Sequence, residues 1–430
     1  VASGPSPGQI TELLAVVGAI ALAALAIRAL ARRVGQPAVI GEMSLGVLAG
    51  PTLLHGAIGR TLITPDVRPL LSALANLGLA LFMFLAGLEL GPAGRTRGEA
   101  GGDPRVRLAT TVIVALGATV LPATLGGALG LDLAGRVAGA QRVAFVVFIA
   151  AAMSVTAFPV LVRILRDRAI DDGAVGQLAL RTAAIADVVG WLLLAVAVLV
   201  SRVHGGPGWR AAMIVPYGLA MTLLARPVLR RIAARAGDRN GLRVAVTAGA
   251  LCSAALTSWM GLHPVFGAFL FGAIVPRDGG GQLGAELKRT LEEPVMGVLV
   301  PIYFVTAGLA VDAAGVGGDL GRLALVLLVA VAGKFCGTFV AARVSGLERG
   351  EATTLGLLMN TRGLTELIVL SVGLQAGVIG GRTYSVMVAM ALITTAMTGP
   401  LLSLQDALQA RRRRRYTIPA RSSSASRFPS

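Results

Sequence analysis

Charge is the scarcest ingredient of this 430-residue chain: Asp, Glu, Lys and Arg make up 14% of it. Soluble domains carry about 25%, so a soluble globular fold is excluded. Aromatic residues are thin as well, at 4%, and nowhere do they interleave with basic side chains to form a stacking platform for bases. Nucleic acid is therefore not expected as a partner, despite a net charge of +17. The two cysteines, Cys252 and Cys336, lie inside apolar runs, which argues against a disulfide framework. The three histidines, His55, His204 and His263, sit at the ends of such runs without metal-ligand spacing. No resident metal, no cofactor and no nucleophile–base constellation is expected, hence no enzyme.

What the chain has instead is apolar length. Hydrophobic residues make up 55%, and the mean hydropathy is +0.77. Stretches of roughly 20 apolar residues recur, long enough to cross a hydrocarbon core of ~30 Å. The expected fold is an all-α polytopic membrane protein. Thirteen spans are read, over 9–31, 37–54, 69–90, 106–128, 143–165, 175–201, 209–231, 242–260, 263–276, 292–312, 320–344, 351–376 and 383–404. The second and ninth are short and rich in Gly and Pro. The first run begins near Gln9 without a basic leader or small-residue cleavage site and is read as a retained helix.

Orientation follows from Arg and Lys. Segments after odd-numbered spans hold 18 of them before the tail, against 8 after even-numbered spans. Basic residues stay cytoplasmic, so the N-terminus is expected outside and the C-terminus, with Arg411–Arg415, in the cytoplasm.

Two pairs of spans resemble each other at one offset. PAVIGEMSLG in the second span matches PVFGAFLFG in the ninth, each with two glycines five apart (Gly41 and Gly46; Gly267 and Gly272). FMFLAGLEL in the third matches YFVTAGLAV in the tenth on Ala86-Gly87-Leu88 and Ala307-Gly308-Leu309. An offset of seven spans reverses direction, so the repeat is expected to be inverted, as in secondary transporters whose sites lie at the bilayer midplane. The same offset pairs the fifth span with the twelfth, and both contain helix breakers. MSVTAFPV carries Pro159, expected to kink its helix and free the carbonyl of Val155. MNTRGLTE carries Asn360, Thr361 and Gly363, which weaken helix and supply polar groups. Irregular backbone at membrane depth requires a protein or wet surrounding, and its carbonyls suit a cation.

Four ionisable residues lie deep in the spans: Asp187 in TAAIADVVGW, Lys334 in AVAGKFCGTF, and Arg362 with Glu366. Each is costly in hydrocarbon and thereby a functional candidate. Arg362 and Glu366 are spaced i,i+4 and can neutralise each other. Asp187 has no such neighbour, so its partner is expected on another helix, with Lys334 at matching depth. An acid balanced between burial and a nearby cation holds either a proton or a small cation, and alternation between the two is antiport. Glu42 is placed at an entrance or a helix contact, and Glu89 at a cytoplasmic end.

The stretches PAVIGEMSLGVLAGP, LANLGLALFMFLAGLEL, SVTAFPVLVRIL, HPVFGAFLFGAIVPR and NTRGLTELIVL, in this order over roughly residues 35–400, together resemble the monovalent cation:proton antiporter-2 family. The resemblance implies a Na⁺/H⁺ antiporter fold that works as a homodimer in the plasma (cytoplasmic) membrane, exchanging Na⁺ or K⁺ for protons. It implies panel helices over about 1–90 and 242–312, a core over about 106–201 and 320–404, and a linker helix at 209–231. A basic, disordered cytoplasmic tail is expected over 405–430. Two broken helices cross beside the ion-binding acid, which maps onto Asp187; the core lysine maps onto Lys334. The polar crossover maps onto Thr156 and Asn360–Gly363, with Ser154, Pro159 and Glu366 as its support. Relatives commonly place Asn or Asp before the ion-binding acid; here the residue is Ala186. Only about 25 polar, basic residues follow the last span, so nucleotide gating within this chain is not expected. A channel, a carrier of another solute, and an enzyme or receptor on a repurposed antiporter scaffold stay open as alternatives.

Overall fold

A computed structural model of the chain describes residues 5–33, 36, 38–50, 63–89, 104–135, 139–168, 170, 173–201, 213–235, 238–276, 282–312 and 316–416. His55, His204, several inter-span arginines and the end of the tail at 417–430 lie outside them. Regular structure among the described residues is helical throughout. In chain order the helices are α1 (Pro7–Arg33), α2 (Ala38–Ala49), α3 (Arg68–Glu89), α4 (Pro104–Leu133), α5 (Gly139–Ser154), α6 (Phe158–Asp167) and α7 (Ala174–Ser201). Next, α8 runs from Ile214 to Arg235 through a π-helical turn at Met221–Ala225; α9 is Arg239–Trp259 and α10 is Pro264–Ile274. Then α11 runs from Gln282 to Leu309 through a second π-turn at Val295–Leu299. The last four are α12 (Leu320–Val344), α13 (Arg349–Met359), α14 (Leu364–Gln375) and α15 (Gly381–Tyr416).

Eight helices among the described residues are long and apolar enough to cross a bilayer, not thirteen. The difference falls on five expected spans. Those at 37–54 and 263–276 contain only the short α2 and α10, bounded by Pro and Gly. Those at 143–165 and 351–376 each divide into two short helices, α5–α6 and α13–α14. The span at 209–231 contains the part-basic α8, with its start outside the described residues. Several long, apolar helices nonetheless make this a multi-pass integral membrane protein. Its lipid-facing belt is visible in Leu22, Leu192 and Val344, which are 71%, 63% and 76% exposed. Each would forfeit roughly 1.5–3 kcal/mol of burial in water, whereas lipid tails supply that apolar surrounding.

The last helix runs past the expected span: α15 continues to Tyr416. After Pro400 the sequence LLSLQDALQARRRRRY contains no breaker and is rich in strong helix formers.

The helices pack in two groups. One comprises α1, α2, α3, α9, α10 and α11; the other comprises α4–α7 and α12–α15. In the first, glycines let backbones meet, since small residues drive close helix contact in membranes. A Cβ on Gly46 of α2 would lie 2.3 Å from the Val305 carbonyl oxygen of α11, and one on Gly308 of α11 would lie 2.6 Å from the Met43 oxygen. The α3–α10 contact is built alike: a Cβ on Gly87 would lie 2.2 Å from the Phe269 oxygen, and one on Gly272 2.2 Å from the Phe84 oxygen. Buried Glu42 pairs with Arg28 of α1, which also donates to the Met296 carbonyl in the second π-turn. Polar and aromatic contacts tie the two groups together. Tyr303 Oη donates to the Leu367 carbonyl at 3.2 Å and pairs with Ser371 Oγ at 3.1 Å, Tyr384 Oη donates to the Ala307 carbonyl at 3.0 Å, and Trp191 packs edge-on against Phe266.

Candidate functional site

The site forms where the two divided helices meet. The end of α5 is marked by Ser154, whose Oγ donates back to the Ala151 carbonyl at 2.8 Å. Non-helical Val155, Thr156 and Ala157 follow, and α6 starts at Phe158. Pro159 therefore opens a helix instead of kinking one. In the first turn its missing N–H removes no intrahelical bond, which corrects the expected mechanism at that residue. In the second pair, Asn360 caps α13 and Gly363 precedes α14, with φ 156° and ψ −124°. The two gaps are joined by backbone: the Ala157 N–H donates to the Thr361 carbonyl at 3.1 Å.

All four deep ionisable side chains converge here, each at the helix end that suits its charge. Helix C-termini carry partial negative charge and unpaired carbonyls, while N-termini carry the opposite. Both cations sit on the C-terminal turn of α5. Arg362 NH1 donates to the Ala152 carbonyl at 3.1 Å and NH2 to the Met153 carbonyl at 2.9 Å. Lys334 Nζ donates to the Ser154 carbonyl, and to Thr156 Oγ1 at 2.6 Å. Both acids sit at N-termini. Glu366 occupies the first turn of α14 and accepts from Arg362 at 2.9 Å, both side chains being fully buried. The Asp187 carboxylate faces the backbone amides of Thr156 and Phe158 at the start of α6. It is brought there by Gly190, three residues on along α7, where a Cβ would fall 2.5 Å from Val155 Cγ2.

Asp187 is 5% exposed and lies within electrostatic reach of Lys334. Among the described residues the two form no direct ion pair; the ammonium rests on the α5–α6 gap beside the acid. Oδ1 of Asp187 and Oδ1 of Asn360 are buried acceptors without a hydrogen-bond partner among the described residues. Such oxygens are the donor type that a small hard cation takes. Ala186 is fully buried and adds neither charge nor hydrogen bond.

One further side chain, on α15, completes the crossing. Thr395 of α15 accepts from the Arg362 N–H at 3.2 Å, and its one hydroxyl proton is shared between the Arg362 carbonyl and the Ala391 carbonyl, the latter at 2.7 Å. It fixes the backbone of the second gap. The signal was present in ALITTAMTGP, whose three threonines are out of keeping with an apolar span.

Comparison with known proteins places this geometry in a family. Residues 19–404 match the family described as sodium/hydrogen exchanger, transmembrane. The chain is 37% identical over 415 residues to the Na⁺/H⁺ antiporter NhaS4 of Synechocystis sp., covering 91% of this chain and 97% of that one. It is 36% identical over 385 residues to cation/H⁺ antiporter 17 of Arabidopsis thaliana, and 34% identical over 392 residues to K⁺/H⁺ antiporter 1 of Saccharomyces cerevisiae. These alignments cover 87% and 86% of this chain but 46% and 43% of those proteins, so it spans about half the length of the plant and yeast relatives. Among solved structures, the sodium proton antiporter MjNhaP1 of Methanocaldococcus jannaschii superposes with a TM-score of 0.67 over 92% of this chain and 98% of that one, at 11% identity. That likeness speaks for the fold. On the family match and these relatives, the chain belongs to the sodium/hydrogen exchanger family of cation/proton antiporters, which are secondary transporters and not enzymes.

Proposed function

We propose that this protein exchanges Na⁺ or K⁺ for protons at Asp187, by alternating access. The observation that carries the reading is a buried carboxylate with an unpartnered oxygen, set where two helix interruptions meet. A carboxylate in that position takes a proton or a cation. The Asn360 oxygen and the carbonyls of the gaps supply further cation ligands. Lys334 supplies the counter-charge when no cation is bound; from its seat on Thr156 it withdraws or advances by side-chain rotation alone. Arg362 and Glu366 hold the crossing. With Ala186 beside it, Asp187 is the single carrier on α7, which favours one proton per monovalent cation.

The rest of the reading follows from the packing. An inverted repeat over the expected spans would carry the Gly46–Gly308 contact onto Gly272–Gly87, and the two contacts are built alike. The first packing group would be the fixed panel through which two copies associate, and the second the moving core. The chain would lie in the plasma membrane with its N-terminus outside. NhaS4 is a Na⁺/H⁺ antiporter and the yeast relative a K⁺/H⁺ antiporter, so both cations are candidates here.

The test is proton flux in proteoliposomes under Na⁺, K⁺ or Li⁺ gradients, with and without a membrane potential. Cation-dependent flux, lost in Asp187→Asn, is expected. Full exchange by that variant would sink the assignment.

A further inference from the structure

We propose that the C-terminal end of α15 docks on an anionic lipid leaflet and that this contact holds the cytoplasmic halves of both divided helices. Three observations converge on α15. Its cytoplasmic stretch is bonded to α6, the half-helix after the first gap: the Arg168 guanidinium donates to the Gly399 carbonyl at 2.6 Å, to Ser403 Oγ at 2.7 Å and to Asp406 Oδ2 at 3.1 Å. The same stretch is bonded to α13, the half-helix before the second gap: Gln405 Nε2 donates to the Gly350 carbonyl at 2.9 Å and to Thr354 Oγ1 at 2.8 Å. One helix thus braces both halves and, through Thr395, the backbone of Arg362.

The third observation is where this brace ends. Thr395 lies at the centre of the apolar stretch Gly381–Leu408. At 1.5 Å per residue, Arg411 to Arg415 lie about 24–30 Å further along the axis. The hydrocarbon half-thickness is about 15 Å and the headgroup layer ends at about 20–22 Å, so the arginines stand just outside the headgroups, within about a Debye length of them. Five consecutive residues at about 100° each turn through more than a full circle, so the basic positions occupy every register of the helix. Polybasic segments at this position are attracted to anionic leaflets. Asp406 is the acidic residue nearest to them on this helix, and it is committed to Arg168.

The experiment uses the full chain in nanodiscs of phosphatidylcholine, with or without about 30 mol% phosphatidylglycerol, an anionic fraction that gives the surface its negative potential. Amide hydrogen exchange is followed in peptides covering the ends of α6 and α13. Exchange in both is expected to slow at least roughly threefold in the anionic discs, as local opening is suppressed. The difference should vanish in about 0.5 M salt, which screens exposed charges, and in the variant with Arg411–Arg415 all changed to Gln. Arg168→Gln should keep anionic binding while losing the protection at the end of α6. Equal exchange in the two lipids, or slowing that survives the five-Gln change, overturns the proposal. Slowing confined to α15 overturns the coupling.

Discussion

Removing the Arg362 side chain tests the logic of the whole crossing. The four buried charges balance: Lys334 and Arg362 against Asp187 and Glu366. In Arg362→Met one cation faces two acids, and Glu366 loses its partner in a fully buried setting. Breaking a buried pair from one side costs about 3–5 kcal/mol. The Ala152 and Met153 carbonyls lose their donors as well, at about 1 kcal/mol each. The single variant should therefore lose about 5–7 kcal/mol, comparable to the whole stability of many domains at 5–15 kcal/mol. Adding Glu366→Met restores the balance at one cation to one acid. The double variant then lacks chiefly the two carbonyl bonds and should lose only about 2 kcal/mol. Equilibrium unfolding in mixed micelles, run as a double-mutant cycle, measures both. A coupling of at least about 3 kcal/mol is expected. A single variant within 1 kcal/mol of the parent, or a double variant less stable than the single, would refute the charge-balance argument.

Gly46→Leu should disrupt the α2–α11 contact and lower the thermal midpoint sharply, since its Cβ alone meets the Val305 carbonyl at 2.3 Å. Gly18→Ala, with no atom within 4 Å of the new Cβ, should be neutral or stabilising by up to about 1 kcal/mol through helix propensity. Thr156→Val removes the hydroxyl bonded to Lys334; about 1 kcal/mol per such bond predicts a several-fold change in apparent cation affinity, read from the cation concentration at half-maximal flux.

The membrane class, the deep ionisable residues and the positions of the helix breakers were all legible in the sequence, because each breaks a strong compositional rule. Asp187 and Lys334 stand out since almost nothing else in their spans is charged. The Arg362–Glu366 contact is expected from i,i+4 spacing on one helix; it forms, but from the gap before α14, where Arg362 is not helical. What could not be read was where each charge rests. Lys334 matches Asp187 in depth, yet it lies on the Ser154 carbonyl and Thr156, because an interrupted helix creates acceptors that no residue letter announces. Pro159 reads as a breaker by its identity, whereas its place in the first turn of α6 makes it a starter. Two of the expected spans are divided instead of continuous because hydropathy averages straight through a short gap: Val155–Ala157 is apolar but for one threonine, and polar Asn360–Gly363 is flanked by apolar helix on both sides. The reach of α15 was underestimated because five arginines suggest solvent before they suggest helix.

The bond from the Ala157 N–H to the Thr361 carbonyl has a consequence for how such a site changes over time. Donor and acceptor both belong to the main chain, so side-chain substitutions other than proline at 157 leave the bonding groups in place. Residues around it, Thr156 and Asn360 among them, are free to vary in size and donor type while the two gaps stay tied at one point. On the proposed function, cation preference would thereby be separable from the architecture that carries it. Relatives could drift from one monovalent ion to another by exchanging a few letters on either side of a joint that mutation scarcely touches.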